Sequence, residues 1–236
     1  MPRKTKTESD HIADAKAKVL QAALVHVPFD GWSEGVLALA AQEAKVDAGL
    51  ARQAFPRGGI DLALAFHAAG DADLAGLLAK MDMSGLRFRE KIAAAIRLRL
   101  EIAAPHREAV RRGVTLFTLP PNAAEGAKAI WHTADVIWRV LGDTSQDVNY
   151  YTKRMTLSAV WSATVLYWLG DDSPDYANTN AFINRRIENV MAFETFKARL
   201  SDSAVGRLLM QGPGRILDKV RAPAGKAPDD LPGRVS

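Results

Sequence analysis

Ser33 to Pro56 reads SEGVLALAAQEAKVDAGLARQAFP. Serine is a residue type that caps a helix N-terminus, so Ser33 can open a helix that its alanine-rich continuation favours. Asp47 sits where a second, short helix begins, and Pro56 follows Phe55 at its end. Two short helices joined by a tight turn predict a helix-turn-helix. The charges do not suit DNA. Lys45 and Arg52 stand against Glu34, Glu43 and Asp47, a balance of −1. Affinity for DNA comes mostly from phosphate neutralisation, and reading base edges needs polar tips. Only Arg52 and Gln53 qualify in the second helix. The segment therefore predicts a fold and argues against the activity that often accompanies it.

Outward from this segment, apolar residues recur at helical spacing nearly everywhere, and no convincing alternating run appears. A helix fits Asp10 to His26, with Ile12, Ala15, Val19 and Ala22 on one face. Another fills Gly59 to Lys80. Ser84 can cap a fifth, running to Ala103, where Pro105 stops it. Pro120 and Pro121 precede a helix from Asn122 to Leu141. Further helices fit Asp147 to Leu169 and Asp175 to Leu200, with a last one after Ser203. From Ala222 the chain holds proline, glycine and charge without periodicity and is expected to be mobile. The predicted organisation is a helix-turn-helix segment over 1–56, a helical domain over 57–221 and a tail over 222–236.

The totals narrow the class. The chain has 236 residues, 48% of them hydrophobic, which allows a sizeable core. With no cysteine, disulfides, thiolate metal sites and cysteine nucleophiles are excluded together. The net charge of +4 is only a weak pointer to an anionic partner. No apolar run approaches the roughly 20 residues of a membrane span, and MPRKTKTESD lacks the apolar stretch of a secretory signal. The expectation is a soluble protein, at most peripheral to a membrane.

Leu-Gly-Asp-x-Ser-x-Asp occurs twice, from Leu141 and from Leu169. Each glycine, Gly142 and Gly170, suits a left-handed helix C-terminus. Each copy then offers Asp and Ser (Asp143, Ser145, Asp147; Asp171, Ser173, Asp175) to cap the next helix. A metal site or a carboxylate pair is the sharper alternative, but capping alone accounts for these residue types. Only the first copy continues into Tyr150, Tyr151, Lys153 and Arg154. Two aromatics beside two cations at a helix entrance fit an interface anchor. The plainer alternative is that one tyrosine packs inward, Tyr151 being expected to be the more buried, and that the cations Lys153 and Arg154 are solvated. The helix that follows is apolar on nearly all sides. Leu157, Val160, Trp161, Thr164 and Trp168 form one stripe; Met155, Ala159, Ser162 and Leu166 form another. Such a helix is buried, either as plain core or as the wall of a cavity in which Ala159, Ser162 and Ala163 leave room.

Two resemblances sharpen these readings. Ser33 to Pro56 looks like the DNA-binding segment of TetR-type regulators, with Leu39, Ala40, Ala44, Val46, Asp47, Gly49 and Phe55 in their expected places. It departs from them where Lys45 replaces the usual turn glycine, Leu50 a small polar residue, and Ala51 and Arg52 a leucine and a tyrosine. The stretch from LPPNAAEGAKAIWHTADVIWRV through GDTSQD, NYYTKR, DDSPD and FINRRI resembles the COQ-nine family of ubiquinone-biosynthesis accessory proteins, and RLRLEIAAPHREAVRRG from Arg97 fits the same family. The resemblance implies an all-α, TetR-like fold with a degenerate N-terminal helix-turn-helix and a C-terminal lipid-binding region. It implies a protein that is not itself an enzyme, needs no cofactor, binds an isoprenoid or phospholipid ligand, and assists a ubiquinone-pathway hydroxylase. Leu157, Val160, Trp161, Thr164 and Trp168 are then the expected lipid contacts. Ile137, Asp147 and Tyr150 match a surface patch that engages the hydroxylase, and Tyr151 and Arg154 adjoin it.

In that family the last helix is amphipathic and binds membranes. Here Val205, Leu208, Leu209, Ile216 and Leu217 lie among basic residues, the composition of a membrane-surface helix, although Gly212-Pro213-Gly214 should break it. The alternative is a broken helix folded back on the domain. The expected setting is the cytoplasmic face of a bacterial inner membrane. Pairing through the C-terminal helices, common among TetR-like folds, predicts a homodimer. His11, His26, His67, His106 and His132 show no metal-ligand spacing and read as surface or satisfied core residues. No phosphate loop or nucleophile elbow is present. Two other function classes are left open: a TetR-like regulator responding to a hydrophobic ligand and a helical enzyme, the latter disfavoured by the absence of a catalytic constellation.

Overall fold

The computed structural model describes residues 7–202, with side chains through residue 192. The described residues form α1 (Glu8–Asp30), α2 (Glu34–Glu43), α3 (Ala48–Ala54), α4 (Gly59–Leu78), α5 (Phe88–Ala103), α6 (Arg107–Thr118), α7 (Ala123–Val140), α8 (Val148–Trp168) and α9 (Ala177–Asp202), joined in places by short 3-10 turns. No strand occurs among them. The fold is all-α, as the helical spacing requires.

Local chemistry sets most helix starts. Ser33 Oγ accepts from the Val36 amide, and Asp47 Oδ1 accepts from the amides of Gly49 and Leu50 at 2.9 and 3.1 Å. Lys45 holds φ at 55°, so a lysine occupies the left-handed turn position that glycine usually takes. Ser84 does not cap α5. Its amide instead donates to Asp82, and α5 opens further along, where the Glu90 carboxylate accepts from both the backbone and the guanidinium of Arg87. A reciprocal Arg87–Glu90 pair supplies what the serine was expected to supply.

Two apolar cores follow. The first joins Val19, Ala23 and Val27 of α1 to Leu37 and Ala40 of α2, Phe55, Leu62 of α4 and Ala109 of α6. It thus extends past residue 56 into the following helices. The second joins Leu74, Ile96, Leu100, Ile137, Leu157, Trp161, Trp168 and Ile183 from α4, α5, α7, α8 and α9.

Helix α6 is absent from the sequence-based expectation, and it ties the two cores together. Trp32 Nε1 donates to its Ala109 carbonyl at 3.0 Å, and Arg112 donates to the Pro28 carbonyl. Arg107 Nη2 donates to the carbonyls of Trp168 and Asp171, and Arg111 Nη2 to that of Leu169. Two cations of α6 therefore satisfy the open carbonyls at the C-terminus of α8, where the helix dipole favours positive charge. A signal for α6 does exist: Ala109, Val110, Gly113, Val114 and Phe117 recur at helical spacing, with Glu108, Arg111 and Arg112 on the other side.

Gly142 ends α7 with φ 83°, as a C-terminal glycine should, but Gly170 is not left-handed. The 3-10 turn of the second connection instead places the left-handed residues at Asp175 and Tyr176, with φ 51° and 52°.

Candidate functional site

A cavity of about 330 Å³ lies where α4, α5, α6, α7 and α8 meet. Its volume falls at the lower end of the ~300–1,000 Å³ of small-molecule sites. Trp32 and Phe66 form one wall, with ring centroids 5.5 Å apart. Helix α6 contributes Val110, Val114 and Phe117, and α8 contributes Trp161, Val165 and Trp168. Gly113 and Gly126 also line the cavity, and the bare Gly126 lets Phe117 pack closely on α7. A Cβ on Gly126 would come within 2.6 Å of the Phe117 side chain. The exposed lining residues Thr118, Ala123, Ala127 and Leu166 mark the mouth.

The inner end is polar and charge-paired. Arg99 of α5 is buried, and its Nε donates to Asp71 Oδ1 at 2.8 Å. Arg99 Nη2 donates to the His67 carbonyl at 3.1 Å, and the guanidinium lies 5.7 Å from the Trp161 ring centre. A Cβ at Gly70 would sit 2.6 Å from Arg99 Nη1, so this helix position must stay bare for the arginine to lie across it. Asp71 has no exposure and accepts from Thr133 Oγ1 and from His132 Nδ1. Burial would raise its pKa. The bond from His132 and the adjacent Arg99 outweigh this and hold it below the ordinary carboxylate value. His132 is correspondingly raised, chiefly by its bond to Asp71.

His67 Nε2 lies 3.0 Å from the Ala129 carbonyl and 2.7 Å from Thr133 Oγ1. A carbonyl only accepts, so Nε2 carries the proton. Burial, the largest cause, lowers the pKa of His67, which keeps the ring neutral and leaves Nδ1 as an acceptor. Both His67 and Arg99 line the cavity.

Of the five expected lipid contacts, Trp161 and Trp168 line this cavity and Leu157, Val160 and Thr164 do not. Leu157 and Val160 pack into the second core, and Thr164 Oγ1 donates to the Val160 carbonyl within α8. The cavity lies along Trp161, Ser162, Val165 and Leu166, one step around the helix from the predicted stripe. Ala163 is also outside the lining.

A second candidate surface surrounds the start of α8. Trp131, Tyr150 and Tyr151 are all half-buried, and the two tyrosine rings meet edge to face at 5.1 Å. Trp131 lies 6.5 Å from Tyr150 and 6.2 Å from Tyr151. Asp147 is exposed and caps α8 through the Asn149 amide. Two residues assigned to this patch are not on the surface. Ile137 has no exposure, because it follows the buried Thr133 and Ala134 on the inward face of α7. Arg154 is 2% exposed, and Asp135 and Asp143 hold its guanidinium at 2.6 and 3.0 Å. It lies beneath Tyr150, 3.6 Å from the ring centre. A cation that sequence reading leaves either solvated or at an interface is here the floor on which the tyrosine stacks.

The residues expected at a membrane surface, Val205, Leu208, Leu209, Ile216 and Leu217, lie outside the described residues, as do Gly212-Pro213-Gly214. Among the described residues no helix is long and apolar enough to cross a membrane.

In the helix-turn-helix, Arg52 pairs with Glu34 at 2.7 Å, so the cation of α3 has an internal partner. A solved structure agrees in fold: a TetR transcriptional regulator from Nitrosomonas europaea superposes with a TM-score of 0.59 at 17% identity, over 73% of this chain and 95% of that chain. The COQ9 family model matches residues 123–194, which span α7, α8 and the first part of α9. The chain is similar to the mitochondrial ubiquinone biosynthesis protein COQ9 of Xenopus tropicalis, 31% identical over 202 residues, 83% of this chain and 63% of that protein. Human COQ9 is 28% identical over the same shares. The chain thus spans rather less than two thirds of these two relatives. Similarity to COQ9-B of Xenopus laevis, 30% identical, extends over 83% of this chain and 68% of the relative. Sustained over this length, and joined to the family match, it shows that the chain belongs to the COQ9 family.

Proposed function

We propose that this protein is a non-enzymatic accessory of ubiquinone biosynthesis, which holds an isoprenoid or phospholipid ligand in the α4–α8 cavity and presents quinone intermediates to a pathway hydroxylase. The observation that carries this reading is the cavity itself: about 330 Å³, walled by aromatic and aliphatic side chains, with an exposed mouth. The names of the relatives supply the pathway. The hydroxylase contact is assigned to Tyr150, Tyr151 and Asp147, with Trp131 adjoining them. Half-buried aromatics beside a charged rim suit such an interface. Peripheral attachment to the inner membrane is assigned to the C-terminal segment from Val205. Pairing of two copies is assigned to α8 and α9, which leave Met155, Leu166, Tyr167 and Met191 exposed.

A regulator that binds DNA is the less supported reading, because Arg52 is paired and the segment carries a net negative charge. The deciding experiment is mass spectrometry of lipids extracted from the protein purified without detergent. The expected result is enrichment of an isoprenoid quinone, one of its precursors, or a phospholipid over bulk membrane composition. An extract no different from a control protein of similar charge counts against lipid carriage.

A further inference from the structure

We propose that the inner end of the cavity recognises the head of its ligand as an uncharged, oxygen-bearing group: Arg99 donates to an acceptor oxygen, His67 Nδ1 accepts from a hydroxyl, and the apolar tail leaves through the mouth at Thr118 and Ala127. This rests on the cavity being a lipid site and adds the orientation and head chemistry of the lipid.

Three observations carry it. The first is position: His67 and Arg99 are the ionisable side chains of the lining, and Arg99 is 4% exposed, whereas Thr118, Ala123, Ala127 and Leu166 are exposed. A polar head that enters first meets the polar end. The second is unused hydrogen-bonding capacity. Arg99 commits Nε to Asp71 and Nη2 to the His67 carbonyl, and Nη1 has no hydrogen-bond partner among the described residues. His67 commits Nε2–H to Ala129 and Thr133, and Nδ1 has none. Both side chains line the cavity, so it offers a donor and an acceptor, which a ring bearing carbonyl and hydroxyl oxygens can satisfy.

The third observation is charge. Asp71, fully buried, already neutralises Arg99 at 2.8 Å. His132, the other partner of Asp71, is 57% exposed at its side chain and does not line the cavity. An anionic phosphate placed against Arg99 would bring a second buried negative charge beside Asp71, which costs free energy unless a new cation compensates it. A neutral oxygen needs no such compensation. Trp161 and Trp168 on the lining add flat faces for a ring.

The test uses four probes with the same decyl tail: a decyl-benzoquinone, its hydroquinone, decyl phosphate and decylbenzene. Binding to the full chain is read by quenching of tryptophan fluorescence, since Trp32, Trp161 and Trp168 line the site. The quinone and hydroquinone are expected to bind about fivefold or more tighter than decylbenzene and decyl phosphate, the value of one net hydrogen bond. In His67→Leu the hydroquinone should lose about fivefold relative to both the quinone and decylbenzene, keeping only its bond to Arg99. Tightest binding by decyl phosphate overturns the proposal. So does an unchanged hydroquinone-to-decylbenzene ratio in His67→Leu. If the oxygen-bearing heads gain nothing but decylbenzene binds, the cavity survives as a lipid site and only the head assignment falls. If no probe enters the wild-type protein, both fall.

Discussion

The two Leu-Gly-Asp-x-Ser-x-Asp connections begin alike and end differently. In the second, Asp171 is a helix cap: it accepts from the Ser173 and Thr179 amides and from Thr179 Oγ1. These bonds, led by those from Ser173 and Thr179, hold its pKa well below the ordinary carboxylate value. The backbone of this connection is secured from outside, by Arg107 and Arg111 of α6. In the first, Asp143 binds the cations that follow it in sequence, Lys153 Nζ at 2.8 Å and Arg154 Nη1 at 3.0 Å, while Asp147 does the capping. Burial would raise the Asp143 pKa, but Lys153, Ser145 and Arg154 outweigh it and bring it to about 2. One peptide pattern therefore serves helix capping in one place and a buried charge network in the other. The downstream Lys153-Arg154 pair makes the difference, and through Arg154 the first network supports Tyr150 at the surface.

The sharpest way to break this contrast is to remove each aspartate. Asp143→Ala leaves the guanidinium of Arg154 with Asp135 as its carboxylate partner and the Tyr150 carbonyl, and losing one charged hydrogen-bond partner at a buried site costs about 2 kcal/mol. Asp171→Ala should cost less, since its partners are amides and a hydroxyl, without a buried cation left behind. Urea unfolding measures both, and equal losses would erase the distinction. The wild-type protein should also show an acid limb from Asp143. Its folded pKa is depressed, so the stability it contributes is complete above the unfolded value of about 3.9 and disappears as pH falls through about 2. Asp143→Asn should flatten that limb.

Next in size is the partner surface. Tyr150→Ala removes the ring above the buried Arg154 and should cost about 1–2 kcal/mol in stability, while weakening hydroxylase association by about 2 kcal/mol or more. A pull-down beside a melting curve separates the two effects. Normal association would remove Tyr150 from the interface, and global unfolding would make it a core residue. The smallest effect distinguishes the two glycines. Gly142→Ala forces a side chain into φ 83° and should cost about 1 kcal/mol. Gly170 lacks that backbone, and a Cβ added there would meet only the Tyr167 carbonyl, at 3.7 Å. Gly170→Ala should therefore stay within about 0.5 kcal/mol.

Much of this was legible because helical spacing and caps are local. Ser33, Asp47 and the ends of α7 and α8 follow from residue types within one turn. What was not legible depends on long-range partners. Arg154 reads as a solvated cation until Asp135, nineteen residues earlier, meets it across two helices. Helix α8 reads as buried on all sides, but its cavity face is set by α6, whose apolar side is hidden among arginines and a preceding proline. His67 and Arg99, on α4 and α5, carry no joint signature in sequence; only the packing of α4 on α5 brings them to one end of a cavity. Resemblance puts Ile137 on the surface, against its own spacing from Thr133 and Ala134, and the spacing is the better guide.

The central claim is that the α4–α8 cavity holds the lipid. Native mass spectrometry of the purified wild-type protein and of Val114→Trp tests it most directly, because Val114 lines the cavity on α6 and is only partly buried. The account predicts a lipid adduct on the wild-type protein and none on a Val114→Trp variant whose helix content and oligomeric state are unchanged. A folded Val114→Trp that retains the same adduct would contradict it.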